Sequence, residues 1–190
     1  MTKTWDMIIG EKTIQRHLRN FRGHIDVLLL HSPYKSYVKR WAQLHYWASK
    51  YKIPCIGVSN FTISQLEEIK TAGLPMPAVN QIELSCFLQQ QKTVMYCVKN
   101  NIQVIGYSCL ARGQKLDNPT LVRIAKKHQC TPANVMINWV RSQGFHAVVK
   151  AECDQYLKEN LKVVDLDIED MYDIQFLDCG FMCFPQHKLE

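Results

Sequence analysis

The sequence predicts an α/β protein on a parallel sheet, of the barrel rather than the doubly wound kind. Three observations carry that prediction. Short apolar runs with little polar alternation recur along the chain, stretches of helical period separate them, and each run leads into a side chain that can hydrogen-bond. Continuous apolar runs suit parallel strands buried on both faces, and regular strand–helix alternation defines the α/β class. A doubly wound dinucleotide-binding unit would carry G-x-G-x-x-G directly after a strand. The eight glycines form no such string. Hydrogen-bonding groups at the carboxyl ends of successive strands are instead what the active face of a barrel presents.

The strand runs lie at 25–30 (IDVLLL), 53–58 (IPCIGV), 78–82 (AVNQI), 102–107 (IQVIGY) and 147–149 (AVV). The groups at their ends are His31, Ser59-Asn60, Gln81 with Glu83, Tyr107-Ser108 and Lys150. Between the runs, Ile14, His17, Leu18 and Phe21 share one helical face, and Val38, Trp41, Leu44 and Ala48 another. Helix starts are marked by a capping box at 64–67 (SQLE) and by Asn118-Pro119 and Thr131-Pro132, each a capping side chain before a first-turn proline. Gly73 and Gly144 stand where helices stop.

Composition narrows the function classes. The 190 residues are 47% apolar and 21% charged, an ordinary globular balance for which a single domain over 1–190 is expected, with 176–190 as a C-terminal tail. No apolar run approaches the roughly 20 residues that cross a bilayer, and no charged-then-apolar leader opens the chain. A cytoplasmic protein is the expectation, with no membrane partner. The net charge of +6 comes from scattered Lys and Arg, with no basic stripe interleaved with aromatics, so no nucleic-acid partner is expected either. The eight cysteines read as reduced thiols, several of them in the core. Cys179, Cys183 and His187 lack a fourth ligand and have poor spacing for zinc, so no metal site is expected.

At its strand ends the sequence resembles the aldo-keto reductase family. The segments that carry the resemblance are IDVLLLHSP (25–33), IGVSNF (56–61), PAVNQIEL (77–84), VIGYSCLARG (104–113) and KENL (158–161), in the family's order and spacing. The resemblance implies a (β/α)8 TIM-barrel type fold and hydride transfer from NADPH, with NADH the lesser possibility, to an aldehyde or ketone. It assigns His31 to orienting the substrate carbonyl and Lys3 to the catalytic lysine. It places Ser59, Asn60 and Gln81 on the nicotinamide carboxamide, and Tyr107 stacked on the nicotinamide ring. Ser108 and Leu110 match the loop along the pyrophosphate, Lys150 the partner of the 2′-phosphate, and Glu159 and Asn160 the adenine end.

Two departures alter what the resemblance implies. The family's Ser after that lysine and its Arg six residues on are Ala151 and Tyr156 here, which removes a guanidinium contact and predicts weaker NADPH affinity. A (β/α)8 barrel typically takes about 250 residues, so an incomplete barrel of about six of the eight β/α units is expected. The missing front would include the family's catalytic Asp and Tyr. Loss of that acid predicts weak or absent turnover, since general-acid catalysis is typically worth about 10²–10⁴-fold. Two functions from different classes follow: a reductase of a small-molecule carbonyl substrate, or a non-catalytic NADP(H)-binding or regulatory protein on a truncated scaffold. Open barrel edges would also favour self-association.

Overall fold

Each apolar run becomes a strand and each amphipathic stretch a helix. In the computed structural model, which describes residues 1–189, the order is β1 (Thr2–Thr4), α1 (Glu11–Asn20), β2 (Val27–Leu30), α2 (Tyr37–Lys50), β3 (Cys55–Ser59), α3 (Ile63–Thr71) and β4 (Val79–Glu83). It continues with α4 (Gln91–Lys99), β5 (Gln103–Tyr107), α5 (Pro119–Lys127), α6 (Pro132–Ser142), β6 (His146–Val148), α7 (Asp154–Asn160) and α8 (Ile168–Gln175). The sheet order β1-β2-β3-β4-β5-β6 is the order of the chain, and the strands run parallel. Parallel neighbours in chain order, with helical crossovers between them, are the repeat of a (β/α)8 barrel, here present in part.

The described chain has two compact units: Met1–Gln81 with Lys92–Val104 and Leu189, and Ile82–Gln91 with Ile105–Lys188. In the first, Leu28, Leu29 and Leu30 of β2, Trp41 and Leu44 of α2, and Leu66 and Ile69 of α3 are all fully buried. The Trp41 indole N–H, buried with its ring, donates to the Pro75 carbonyl at 2.7 Å. In the second, Leu121 and Ile124 of α5 and Val135, Met136 and Val140 of α6 are buried. By contrast α7 buries none of its residues.

Local signals set most helix ends. Asn118 caps α5 through bonds from the Thr120 and Leu121 N–H groups, with Pro119 in the first turn. Thr131 and Asn134 close a capping box on α6. The box on α3 lies two residues earlier than the sequence suggests: Thr62, not Ser64, accepts from the Gln65 N–H, and the Gln65 side chain accepts from the Thr62 N–H. Thr62 has the extended backbone that capping requires. On α1 the buried face is Thr13, Ile14 and His17, while Phe21 falls past the helix end and is 43% exposed. All eight cysteines are free thiols, with Cys86, Cys97 and Cys109 buried and Cys55 half-buried.

Gly57 of β3 marks where the first unit is tightest. A Cβ there would lie 2.6 Å from the Val79 carbonyl oxygen and 2.8 Å from Leu29 Cδ2. Residue Val79 of β4 and the Leu29 side chain of β2 therefore leave no room for a Cβ at this position. Gly57→Ala is expected to destabilise the chain by roughly 1–3 kcal/mol, the usual scale for overpacking against backbone. A lower urea midpoint with an unchanged m-value checks this; an unchanged midpoint would contradict it.

Candidate active site

The carboxyl ends of β1 to β4 bring five of the sequence-predicted residues into one hydrogen-bonded group in the first unit. Ser59, the last residue of β3, pairs in register with Gln81 of β4. Its hydroxyl donates to the Gln81 carbonyl at 2.8 Å and accepts from Lys3 Nζ and from Asn60 Nδ2, each at 3.1 Å. One donor and two acceptor sites are thereby all used. Asn60 Nδ2 also donates to the His31 carbonyl at 3.1 Å, and the Asn60 N–H donates to the Gln81 carbonyl at 2.9 Å.

The chain can turn there because Asn60 adopts a left-handed backbone, φ 64°, which Asn tolerates better than most residues. Asn80, fully buried, fixes that turn from β4: its Nδ2 donates to the Phe61 carbonyl at 2.9 Å and its Oδ1 accepts from the Phe61 N–H at 3.4 Å. Sequence reading passes over Asn80. The signal is present in VNQIE, where a buried amide precedes the ligand-type Gln81.

His31 follows β2 directly, its N–H donating to the Thr4 carbonyl of β1 at 3.0 Å. The Trp5 ring stacks on the His31 ring with centroids 3.7 Å apart, which restricts the imidazole's rotation. Gln81 directs its Nε2 at the Met1 thioether, 3.8 Å away, a weak acceptor. Burial pushes the Lys3 ammonium down to about 8.

In the second unit, Tyr107 ends β5 and Ser108 begins a loop of left-handed residues: Ser108, Ala111, Arg112 and Gly113 all have φ between 47° and 77°. Burial first, then the Glu83 carboxylate and Cys183, push the Tyr107 phenol up, so its ring stays neutral. The C-terminal tail lies against this group. Phe184 meets Tyr107 edge to face with centroids 6.0 Å apart, and the Arg112 guanidinium sits 5.5 Å from the Phe184 ring.

Glu83, 2% exposed at the end of β4, clasps the tail: its carboxylate accepts from the Cys183 N–H at 2.5 Å and from the Phe184 N–H at 3.0 Å. The Phe87 carbonyl takes the Cys179 and Phe181 N–H groups at 3.2 and 3.0 Å. Sequence reading takes Glu83 as a polar strand end and misses this role, because the partner groups are backbone and a hundred residues away.

Lys150, Glu159 and Asn160 also lie in the second unit. Lys150 is exposed and pairs with Glu152 at 2.7 Å. Glu159 and Asn160 close α7, where Asn134 Nδ2 of α6 donates to the Glu159 carbonyl at 2.5 Å and holds that end in place. Cys179, Cys183 and His187 do not gather as a ligand set. The one His/Asp cluster among the described residues is His128, Asp167 and Asp170, and Lys127 Nζ already occupies it, bonding both carboxylates at 2.6 and 2.9 Å.

The parallel β/α order and the polar group at the strand ends define a partial (β/α) barrel with its hydrogen-bonding groups gathered at the carboxyl ends of the strands. The chain belongs to the aldo/keto reductase family, whose family model matches residues 9–178. An uncharacterised oxidoreductase of Schizosaccharomyces pombe is 38% identical over 159 residues, 82% of this chain and 58% of the relative. The chain thus spans about three fifths of that relative's length. A methylglyoxal reductase of Escherichia coli O157:H7 is 36% identical over 94% of this chain and 72% of its own, and a glyoxal reductase of Bacillus subtilis 34% identical over 93% and 67%. Among solved structures, a Gox0644 mutant in complex with NADPH has a TM-score of 0.87 at 33% identity, covering 94% of this chain and 69% of that one.

The buried lysine supplies a pH test. An unfolded lysine titrates near 10.5 and folded Lys3 near 8, so between those values the unfolded chain binds the extra proton and stability rises with pH. Urea midpoints measured from pH 7 to 11 should rise more for the wild type than for Lys3→Met. Parallel curves would show that Lys3 is not buried as described.

Proposed function

We propose that the chain is an NADPH-binding reductase scaffold for small aldehydes and ketones, with NADH as the weaker alternative. The observation that carries this reading is the Ser59–Asn60–Gln81 group, an array of amide and hydroxyl functions matched to a carboxamide. Gln81 Nε2 faces the Met1 thioether, and a carboxamide oxygen is a far better acceptor. Tyr107 offers a neutral ring for stacking. By the family resemblance, Ser108 and Leu110 would lie along the pyrophosphate, Lys150 would meet the 2′-phosphate, and Glu159 and Asn160 would hold the adenine end.

Bound NADPH supplies the hydride. The chain's own residues bind, orient and move protons. His31, held by Trp5 and by its backbone bonds to Thr4 and Asn60, directs an imidazole N–H at the carbonyl oxygen. Ser59 already accepts two hydrogen bonds, so it can receive the carboxamide N–H only when Lys3 releases it. Lys3, at about 8, then turns its ammonium toward the reacting group.

Turnover by these 190 residues alone is proposed to be weak, with nucleotide binding the stronger property. The Tyr37 hydroxyl donates to Glu68, and burial and that carboxylate both push the phenol up, away from proton donation. Tyr34 is 55% exposed. Neither is set to protonate an alkoxide beside His31. A non-catalytic NADP(H)-binding role rests on the same observation.

Fluorescence titration with NADPH and NADH tests both readings. Saturable NADPH binding is expected to weaken roughly fivefold in Tyr107→Ala, on the ~1 kcal/mol scale of ring contacts. Lys150→Ala should cost at most about fivefold for NADPH and nothing for NADH, since an exposed pair is worth about 1 kcal/mol or less. With methylglyoxal as the carbonyl, slow NADPH oxidation would mark a reductase and binding without oxidation a nucleotide-binding protein. No saturable binding of either nucleotide would defeat both readings.

A further inference from the structure

A guanidinium is buried in the first unit with two of its three nitrogens lacking a hydrogen-bond partner among the described residues. Arg40, in the first turn of α2, is 1% exposed. Its Nε donates to the Asp6 backbone carbonyl at 2.9 Å, while Nη1 and Nη2, both shut off from solvent, meet no acceptor among the described residues. A guanidinium does not shed its proton, and leaving most of its donors unpaired where it is buried is strongly disfavoured.

The nearby carboxylate is already committed. Asp6 Oδ2 accepts from Thr13 Oγ1 at 2.6 Å, and both Asp6 oxygens accept from Arg16 Nη2, at 3.0 and 2.9 Å. That pairing balances Arg16 and leaves Arg40 unbalanced. A second orphan lies in the same neighbourhood: His17 of α1, 7% exposed, has its Nε2 buried without a partner, and both His17 and Arg40 feel the Asp6 charge. Donors from α1 and α2 thus remain unsatisfied around the segment 6–10. That segment is latched to α2 at two points, Asp6 O on Arg40 Nε and Ile9 N–H on Gln43 Oε1 at 3.0 Å, and it turns Met7 and Ile8 outward, 49% and 75% exposed.

We propose that Arg40 is the anchor of a site for a small oxyanion of the phosphate or sulfate kind, roofed by residues 6–10. The two Nη groups donate in parallel to two of its oxygens, the fork geometry that distinguishes Arg from Lys at such sites. His17 adds Nε2–H in the tautomer that carries its proton there. An oxyanion meets the hydrogen-bond deficit and the charge deficit together, whereas water meets only the first. The ligand arrives when the 6–10 segment lifts. That segment begins one residue after Trp5, which stacks on His31, so the occupant and the histidine share one connected stretch of chain. The proposal is independent of the nucleotide reading.

The test is thermal unfolding of the chain against inorganic phosphate, with ionic strength held constant by chloride. The wild type is expected to gain stability in proportion to the logarithm of phosphate concentration above its Kd. Lys150→Ala should keep that response, Arg40→Lys should show a reduced one, and Arg40→Met none. Arg40→Met should also melt at or above the wild type in phosphate-free buffer, because an apolar chain replaces an unpaired charge. No response beyond the chloride control, as water at the fork would give, overturns the proposal. So does a full response in Arg40→Met. Should Arg40→Met fail to fold, ³¹P line broadening of inorganic phosphate decides: broadening by the wild type and by Lys150→Ala, diminished in Arg40→Lys, supports the site, and unbroadened or equally broadened lines refute it.

Discussion

One hydroxyl ties the ends of neighbouring strands together in the first unit, and the candidate site depends on it. Ser59 Oγ donates to β4 through the Gln81 carbonyl, accepts from Lys3 of β1, and accepts from Asn60, whose amide continues to the His31 carbonyl after β2. Parallel strands otherwise meet only through their backbone ladders. A side chain that spans them at the carboxyl end fixes the separation and direction of every group presented there. The arrangement requires the strands to lie close, which Gly57 permits two residues earlier. It also requires the chain to turn at once after β3, which left-handed Asn60 and buried Asn80 provide.

The second unit solves a different problem with a charged group. Glu83 sits buried at the end of β4 and accepts two backbone N–H groups of the tail. Hydrogen bonds to a carboxylate are roughly twice as strong as neutral ones, so two of them hold a segment that has little regular structure of its own. The tail's aromatic character then places Phe184 on Tyr107 and Phe181 near Lys115, 4.7 Å from ring centroid to Nζ. Anything that stacks on Tyr107 must therefore contend with Phe184. The proposed stacking of a nucleotide on Tyr107 would thus be coupled to the tail through this one ring contact.

Much of this is legible in the sequence because the governing interactions are local or periodic. Strand runs, proline-led helix starts and the groups at strand ends follow from residue type and spacing, and the caps at Asn118 and Thr131 appear where the dipeptides put them. The α3 cap falls on Thr62 because two capping side chains stand two residues apart and only backbone geometry decides between them. The α1 face shifts to Thr13 because the helix ends before Phe21. The Glu83 clasp and the Arg40 orphan are not legible, since each depends on which backbone groups a distant segment brings near. Lys150 does stand just past the last strand, but its pairing with exposed Glu152 is a matter of side-chain reach that spacing does not encode.

The proposed role of the Ser59–Asn60–Gln81 group is to receive a nicotinamide carboxamide. Saturation-transfer NMR of NADPH with the chain, irradiating protein methyl protons, tests it directly. The nicotinamide protons are expected to saturate more strongly than the adenine protons, and this excess to vanish in Gln81→Leu. Equal saturation of both rings, unchanged by the substitution, would contradict it.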